Sequence, residues 1–103
     1  MSTGLASLQQ RLERISRQYE QAFGIPPGDD WIVFKLQEEL GELTQAYLAA
    51  TGRSRHRLDS TEARAALSAE IADVLGFVLA LAERLEIDAE AVLAAKWLKH
   101  ERD

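Results

Sequence analysis

The sequence has no cysteine, and its 103 residues include only two prolines, one methionine and 7% aromatic residues. Without cysteine, disulfides and thiolate metal sites are excluded. No segment shows the alternation of apolar and polar residues that is typical of strands, and the sequence has neither an internal repeat nor a low-complexity tract. Apolar residues recur instead at intervals of three and four, which predicts an all-α protein.

Basic charge is also scarce, since 12 lysines and arginines stand against 17 acids and the net charge is −5. No basic face balances the acids, which argues against nucleic acid as a partner. Residues 1–10 lack the basic-then-apolar layout of a signal peptide, and we expect no apolar run that approaches membrane-spanning length. We therefore expect a cytoplasmic protein with no membrane partner, in which clustered acids bind cations.

The periodicity predicts four helices in a single domain of residues 1–103: three longer helices and a short C-terminal one, arranged as a four-helix bundle-type domain. A chain this short often completes its core by oligomerising, so we expect a homodimer or homotetramer. The expected ranges are Leu5–Phe23, about Trp31–Ala50 after a cap at Asp29 or Asp30, from a cap at Ser60 or Thr61 to Leu85 or Glu86, and Ala89 to about His100 after a cap at Asp88.

The first predicted helix divides its side chains between two faces. We expect the apolar face to mark its packing surface and the charged face to be solvated. The apolar face comprises Leu5, Leu8, Leu12, Ile15, Tyr19 and Phe23, and the charged face Arg11, Glu13, Arg14, Arg17 and Glu20.

Acidic side chains lean into the apolar faces of the second and third predicted helices. Glu39 lies on the flank of one apolar stripe, while Glu70 lies inside the other with Asp73 at its edge. Each helix thus directs an acidic pair at i, i+3 towards the core, where a carboxylate must be paired, protonated or bound to metal. The stripes are Val33, Leu36, Leu40, Leu43 and Tyr47 on the second helix, and Ala63, Leu67, Val74, Phe77 and Leu81 on the third.

The residue types in these helices narrow the choice of metal. Neither helix carries histidine, the ligand that suits iron or zinc, and an all-oxygen set favours Mg²⁺, with Mn²⁺ as a possible substitute. The alternative is that these are ordinary surface acids. However, the basic residues that could neutralise them, Lys35 and Arg84, are too few for four or five carboxylates.

Two basic segments each have two interpretations. At the C-terminus, Lys96, Lys99 and Arg102 either complement the negative end of a helix dipole or clamp a phosphate. The connection between the second and third helices has three arginines and a histidine within residues 53–57. It is either a solvated loop or a mobile segment that meets an anionic ligand.

The acidic motif resembles the signature of a known enzyme family. Glu39-x-x-Glu42, then 27 residues, then Glu70-x-x-Asp73, is similar to the E-x-x-E…E-x-x-D signature of the all-α nucleoside triphosphate pyrophosphohydrolases, the MazG-like superfamily. The resemblance extends to Lys-Leu-Gln-Glu-Glu-Leu-Gly-Glu-Leu at residues 35–43 and Ala-Asp-Val-Leu at 72–75. It also includes Ile-Asp at 87–88, ahead of a terminal helix that contains Lys96.

The resemblance implies hydrolysis of a nucleoside triphosphate to the monophosphate and pyrophosphate, with Mg²⁺ held by Glu39, Glu42, Glu70 and Asp73. Carried over by position, Glu38 orients or deprotonates the attacking water and Lys96 contacts phosphate. Many relatives have asparagine where this chain has His100, which leaves the contacts of the last helix open. The residues expected to bind substrate are Lys35, Lys96, Lys99, Arg102 and Trp31, with Trp31 as the candidate for stacking a base and Phe34 assigned to core packing.

Two alternatives stay open at this point. Within the superfamily, the chain could act on phosphoribosyl-ATP in histidine synthesis. Outside it, the chain could be a non-catalytic helical interaction module whose acids bind a structural cation or a partner helix. Oligomerisation has its own support: Leu75, Leu79 and Ala82 lie opposite the inward stripe of the third helix and would need a second copy to cover them.

Overall fold

A computed structural model describes residues 4–54 and 59–102 of the chain. Over these residues the protein is helical and has no strand, so the predicted all-α class is confirmed. Residues 55–57 of the predicted basic loop lie outside the described residues. The elements are α1 (Leu5–Phe23), α2 (Asp30–Ala50), α3 (Ser60–Arg84), α4 (Ala89–Lys96) and a short 3₁₀ helix (Leu98–His100). The last predicted helix therefore ends as an α-helix at Lys96, earlier than expected.

Local chemistry explains where α1 ends. Gly24 adopts a left-handed conformation with φ of 65°, which glycine reaches without steric cost. This conformation lets the Ile25 N–H donate to the Glu20 carbonyl at 2.9 Å, closing the last turn. Two prolines follow and cannot continue the helix.

Aspartate side chains begin the last two α-helices. The Oδ1 atom of Asp59 accepts from the Glu62 N–H at 2.8 Å, so Asp59 caps α3 and the expected cap at Ser60 or Thr61 is wrong. The Asp88 cap of α4 is confirmed, because its Oδ1 accepts from the Ala91 N–H at 3.1 Å.

The helices fall into two compact units, which we describe separately. Unit 1 comprises Met1–Asp29 and Leu79–Asp103, and unit 2 comprises Asp30–Val78. The long helix α3 contributes its first part to unit 2 and its last turns to unit 1. A single domain over residues 1–103 stays a prediction.

In unit 1, α1 packs through its polar side, contrary to expectation. Its buried residues are Gln9, Ser16 and Glu20. The Gln9 amide donates to the Ile87 carbonyl and accepts from the Ala89 N–H at 3.2 Å, so one side chain fastens α1 to the start of α4. Of the face expected to be solvated, Glu20 is buried and Glu13 is half-buried, whereas Arg11, Arg14 and Arg17 are exposed as expected.

A buried arginine completes this packing. The Arg84 side chain is 1% exposed, and its Nη1 lies 2.5 Å from a Glu20 carboxylate oxygen and 3.8 Å from Asp29. Its Nε lies 3.5 Å from Glu13, an ion-pair contact without hydrogen-bond geometry, and Nη2 donates to the Ser16 hydroxyl at 2.9 Å. We call Arg84, Glu13, Glu20 and Asp29 the arginine cluster. It ties the end of α3 to α1 and to the chain after α1.

In unit 2, α2 and α3 are antiparallel. The ring of Trp31, at the start of α2, meets that of Phe77, late in α3, edge to face at 6.4 Å. Farther along α2, Glu39 meets Glu70, which comes earlier in α3. The buried apolar residues of this unit are Ile32 and Ala63.

Several residues assigned to the core are exposed instead. On α2 the inward side runs through Ile32 and Glu39, so the predicted stripe lies to one side of it and three of its five members are exposed. The core assignment of Phe34 is also wrong, because this side chain is 70% exposed. On α3, Leu79 is buried in the chain while Leu75 is exposed. The exposed stripe residues are Val33, Leu40 and Tyr47.

Helix α3 is long and apolar enough to cross a membrane, judged by length and composition alone. Its most apolar window of 18 residues has a mean hydropathy of 1.9 and is 11% buried. The expectation that no apolar run approaches membrane-spanning length is therefore wrong. Core helices of soluble proteins can have the same length and composition, so this finding alone does not indicate a membrane-spanning helix.

Candidate metal centre

Three of the four acids predicted as metal ligands meet between α2 and α3. Carboxylate oxygens of Glu39, Glu70 and Asp73 all lie within 4.8 Å of one another. The antiparallel pairing explains this, because Glu70 and Asp73 are one turn apart on α3 and Glu39 faces them from α2. Glu42, the fourth, is one turn from Glu39 and close enough to shift its titration. We call these four residues the acidic cluster.

The cluster holds two buried oxygens with no donor. Glu39 is 7% exposed and Glu70 is half-buried, and the Oε2 atom of each is shielded from solvent. No hydrogen-bond partner among the described residues reaches either atom. A buried carboxylate oxygen without a partner destabilises the fold, so the site favours binding of a proton or a cation.

The pKa of Glu39 reflects the burial and the negative charge of this cluster. The pKa of its carboxyl group is raised from 4.5 to about 7, chiefly by burial, then by the negative charge and hydrogen bonding of Glu42, hydrogen bonding with Glu70 and the charge of Asp73. A hydrogen bond between two carboxyl groups requires a shared proton, so it is lost when both ionise.

Lys35 is the nearby cation that the sequence predicted. Its Nζ lies 3.8 Å from Glu39 and 3.3 Å from Glu38. The second expected cation, Arg84, forms its ion pairs with acids of the arginine cluster. One lysine at 3.8 Å leaves the acidic cluster with excess negative charge.

The oxygen spacing suits a single divalent cation. Ligands on opposite sides of Mg²⁺ are about 4.2 Å apart, from bond lengths near 2.1 Å, and across Ca²⁺ about 4.6–5.2 Å. The three oxygens lie within 4.8 Å of one another, which is close enough for them to share one such cation. The all-oxygen donor set and the two unpartnered atoms thus fit a hard cation.

The other predicted site residues are placed as follows. Glu38 is exposed on α2 beside the cluster, and its side chain pairs with Lys35. Trp31 is half-buried against Phe77. Lys96, Lys99 and Arg102 are exposed residues of unit 1, at the end of α4, in the 3₁₀ helix and beyond it. Their roles in binding substrate stay predictions.

Comparison with known proteins adds no relative to this description. The chain matches no family model, and no curated protein or solved structure is significantly similar to it. The resemblance to the MazG-like superfamily therefore rests on the sequence motif alone.

Proposed function

We propose that this chain is a Mg²⁺-dependent nucleoside triphosphate pyrophosphohydrolase whose metal ligands are the acidic cluster. The observation that carries the proposal is the meeting of Glu39, Glu70 and Asp73 around buried carboxylate oxygens that have no donor. These are the positions that the E-x-x-E…E-x-x-D motif assigns to metal. Mn²⁺ can substitute, because it accepts the same oxygen ligands.

The substrate class follows from charge. A chain with net charge −5 and an exposed acid beside the site repels a free triphosphate, whereas a bound divalent cation neutralises both partners. When bound, the cation supplies charge stabilisation for attack of water on the α-phosphorus and departure of pyrophosphate. In this reaction the bond from the α-phosphorus to its bridging oxygen breaks, and the water oxygen takes its place.

The chain supplies the groups that position water and phosphate. Glu38 is exposed and next in sequence to a proposed ligand, so it can accept a proton from the attacking water. Lys35, which pairs with Glu38 and Glu39, can exchange a carboxylate contact for a phosphate oxygen in this proposal. In the same proposal, Lys96, Lys99 and Arg102 contact the leaving pyrophosphate and Trp31 stacks on the base.

Pyrophosphate release is the test of this function. We expect Mg²⁺-dependent release of pyrophosphate and monophosphate from at least one member of a panel of common and damaged nucleoside triphosphates. Four variants should each abolish it while remaining folded, and Glu90→Gln, an exposed acid on α4, is the matched control that should retain it. Full turnover by Glu70→Gln would refute the proposal. The four variants are Glu39→Gln, Glu42→Gln, Glu70→Gln and Asp73→Asn.

The same assay separates the alternatives. Turnover confined to phosphoribosyl-ATP would assign the chain to histidine synthesis. Metal binding without turnover of any nucleotide would indicate the non-catalytic interaction module. We place the enzyme in the cytoplasm, with no nucleic-acid or membrane partner, because its charge and its proposed soluble substrates fit that location.

We also propose that the enzyme is a homo-oligomer, with two copies meeting through α2 and α3. Apolar side chains of both helices are exposed in the single chain, and soluble monomers seldom leave such surfaces uncovered. Leu79 is unsuitable as a probe because it is buried. Leu75→Glu should instead lower the mass measured by sedimentation equilibrium, and a wild-type mass of 11.5 kDa would refute the oligomer. The exposed residues are Val33, Phe34, Leu40, Tyr47, Ile71, Leu75 and Val78.

A further inference from the structure

Helix α1 presents an uncovered apolar seam to solvent. Its members follow one another at intervals of three and four, the spacing of the contact positions in a coiled coil, and no charged residue interrupts them. Phe23, one turn past Tyr19, extends the seam and is 69% exposed. The α1 seam comprises Leu5, Leu8, Leu12, Ile15 and Tyr19, of which Leu8, Ile15 and Tyr19 are exposed.

The seam cannot turn inward, because the adjacent side of α1, about a quarter turn around the helix from the seam, is already fixed in unit 1. Gln9 is bound to the backbone at Ile87 and Ala89, and Glu20 is bound to the buried Arg84. Rotating α1 would break these contacts and leave the buried Arg84 without its Glu20 partner, which is strongly destabilising. The seam therefore stays outward and available to a partner.

We propose that the α1 seam is a contact between two copies of this chain, in which α1 packs antiparallel against α1 of the mate. Antiparallel pairing about the middle of the helix sets Leu12 opposite Ile15 and Leu8 opposite Tyr19. Each aromatic ring then meets a smaller side chain. Parallel pairing would instead set Tyr19 against itself.

The charges beside the seam favour a second copy over a lipid surface. Only two arginines, Arg11 and Arg14, flank the exposed side, whereas segments that bind anionic lipid carry clusters of four to eight basic residues. In the antiparallel register Arg11 lies nearest to Gln18 of the other copy, so this pairing keeps it away from the mate's Arg11. The acids of α1 do not oppose this, because Glu13 and Glu20 face Arg84.

The size of the contact predicts its strength. Helix α1 has 19 residues and is about 28 Å long. The surface area buried by one pair of such helices should not exceed the ~1,200 Å² that the smallest stable interfaces bury. The extent of this contact should therefore depend on protein concentration. Together with the proposed α2–α3 contact, it would join dimers into tetramers.

The absence of cysteine from the chain provides a clean test. A single cysteine at Ile15 lies near the centre of the antiparallel pair and should be joined to its counterpart by a bismaleimide with an ~8 Å spacer. At Phe23 the two cysteines would be roughly 28 Å apart and should not react together. Gln10→Cys, on the opposite side of α1, is the matched control. Cross-linking of Ile15→Cys no better than the control, or equal cross-linking at Phe23, would overturn the proposal.

Sedimentation equilibrium gives a second readout that does not depend on enzyme activity. Ile15→Gln should halve the mass of the wild-type assembly at matched concentration, with unchanged helical circular dichroism, because the side chain is exposed in the single chain. An unchanged mass would overturn the contact. So would loss of binding to anionic phosphatidylglycerol vesicles without a change of mass, which would assign the seam to lipid instead.

Discussion

Glu20 and Glu39 are nearly equally buried, at 6% and 7% exposure, yet they have opposite surroundings. Glu20 lies against the guanidinium of Arg84, whose nitrogens also reach Glu13, Asp29 and the Ser16 hydroxyl. Glu39 lies against other carboxylates, with one lysine at 3.8 Å. Burial alone therefore does not indicate function, whereas the charge of the neighbours does.

The difference distinguishes a cluster that stabilises the fold from a candidate metal site. The arginine cluster carries its own cation, so its acids serve to hold α1 and α3 together within unit 1. The acidic cluster leaves two buried oxygens without a donor, so it requires a proton or an external cation. The predictions below test that contrast, from the largest expected effect on stability to the smallest.

Removing the cation from the arginine cluster should have the largest effect. Arg84→Met leaves the buried Glu20 and the half-buried Glu13 with the half-exposed Arg17 as their remaining counter-ion, and we expect the free energy of unfolding to fall by about 3–5 kcal/mol. Urea unfolding followed by circular dichroism measures this. Arg17→Met is the matched control and should cost less than about 1 kcal/mol, because the Arg17 side chain is 50% exposed. Equal losses from both variants would contradict the contrast.

The same substitution in the two clusters should have opposite effects. Glu20→Gln removes a charged partner of Arg84 and should destabilise the metal-free protein by about 2–3 kcal/mol. Glu39→Gln removes repulsion among carboxylates and should stabilise it by roughly 1 kcal/mol. Both values come from urea unfolding at pH 8 in the presence of a chelator. A destabilised Glu39→Gln protein would show that its carboxylate is satisfied within the chain.

The stability of the metal-free protein should fall as pH rises. The pKa of Glu39 is about 7 in the folded chain and 4.5 ordinarily, so the folded state binds the extra proton between these values. Below pH 4.5 the group is protonated in both states and contributes nothing. As the pH rises from 4.5 to about 7, the free energy of unfolding falls by about 1–3 kcal/mol in total.

Thermal unfolding at pH 5.5 and pH 8 checks this shift, and Glu39→Gln is the control that should lose the Glu39 contribution. Mg²⁺ should raise the unfolding temperature more at pH 8 than at pH 5.5, because protonation competes with metal. A metal effect that is independent of pH would contradict the assignment of Glu39 as a ligand.

Glu38 should matter least for stability. Its side chain is 58% exposed and forms a surface ion pair with Lys35, so Glu38→Gln should change the free energy of unfolding by less than about 0.5 kcal/mol. Turnover should nevertheless fall far more than Mg²⁺ or nucleotide affinity, as expected for a group that orients water. If Mg²⁺ affinity falls together with turnover, Glu38 is a ligand and the base lies elsewhere.

Local signals predicted most of the fold. The Pro26–Pro27 break and the Asp88 cap set helix ends that the structure reproduces, because these residues act on their own backbone. Adjacent candidate caps were harder to distinguish, and Asp59 rather than Ser60 or Thr61 caps α3. The i, i+3 spacing also identified Glu39, Glu70 and Asp73, because α2 and α3 each bring one side to the other.

The orientation of α1 was not predictable from its own sequence. Its strong apolar stripe favours inward packing, but a guanidinium 68 residues from Ser16 in the chain binds the polar side instead. A contact so distant leaves no periodic signal. Leu79 is likewise buried, although its position along α3 predicted a surface that only a second copy would cover.

Titration of Mn²⁺ followed by electron paramagnetic resonance most directly tests the central claim, that the acidic cluster binds a divalent cation. We expect the wild-type chain and Glu90→Gln to bind one class of Mn²⁺ that Mg²⁺ displaces, and Glu39→Gln and Glu70→Gln to lose it. Glu38→Gln should retain it. Unchanged Mn²⁺ binding after Glu39, Glu70 and Asp73 are all neutralised would contradict the account.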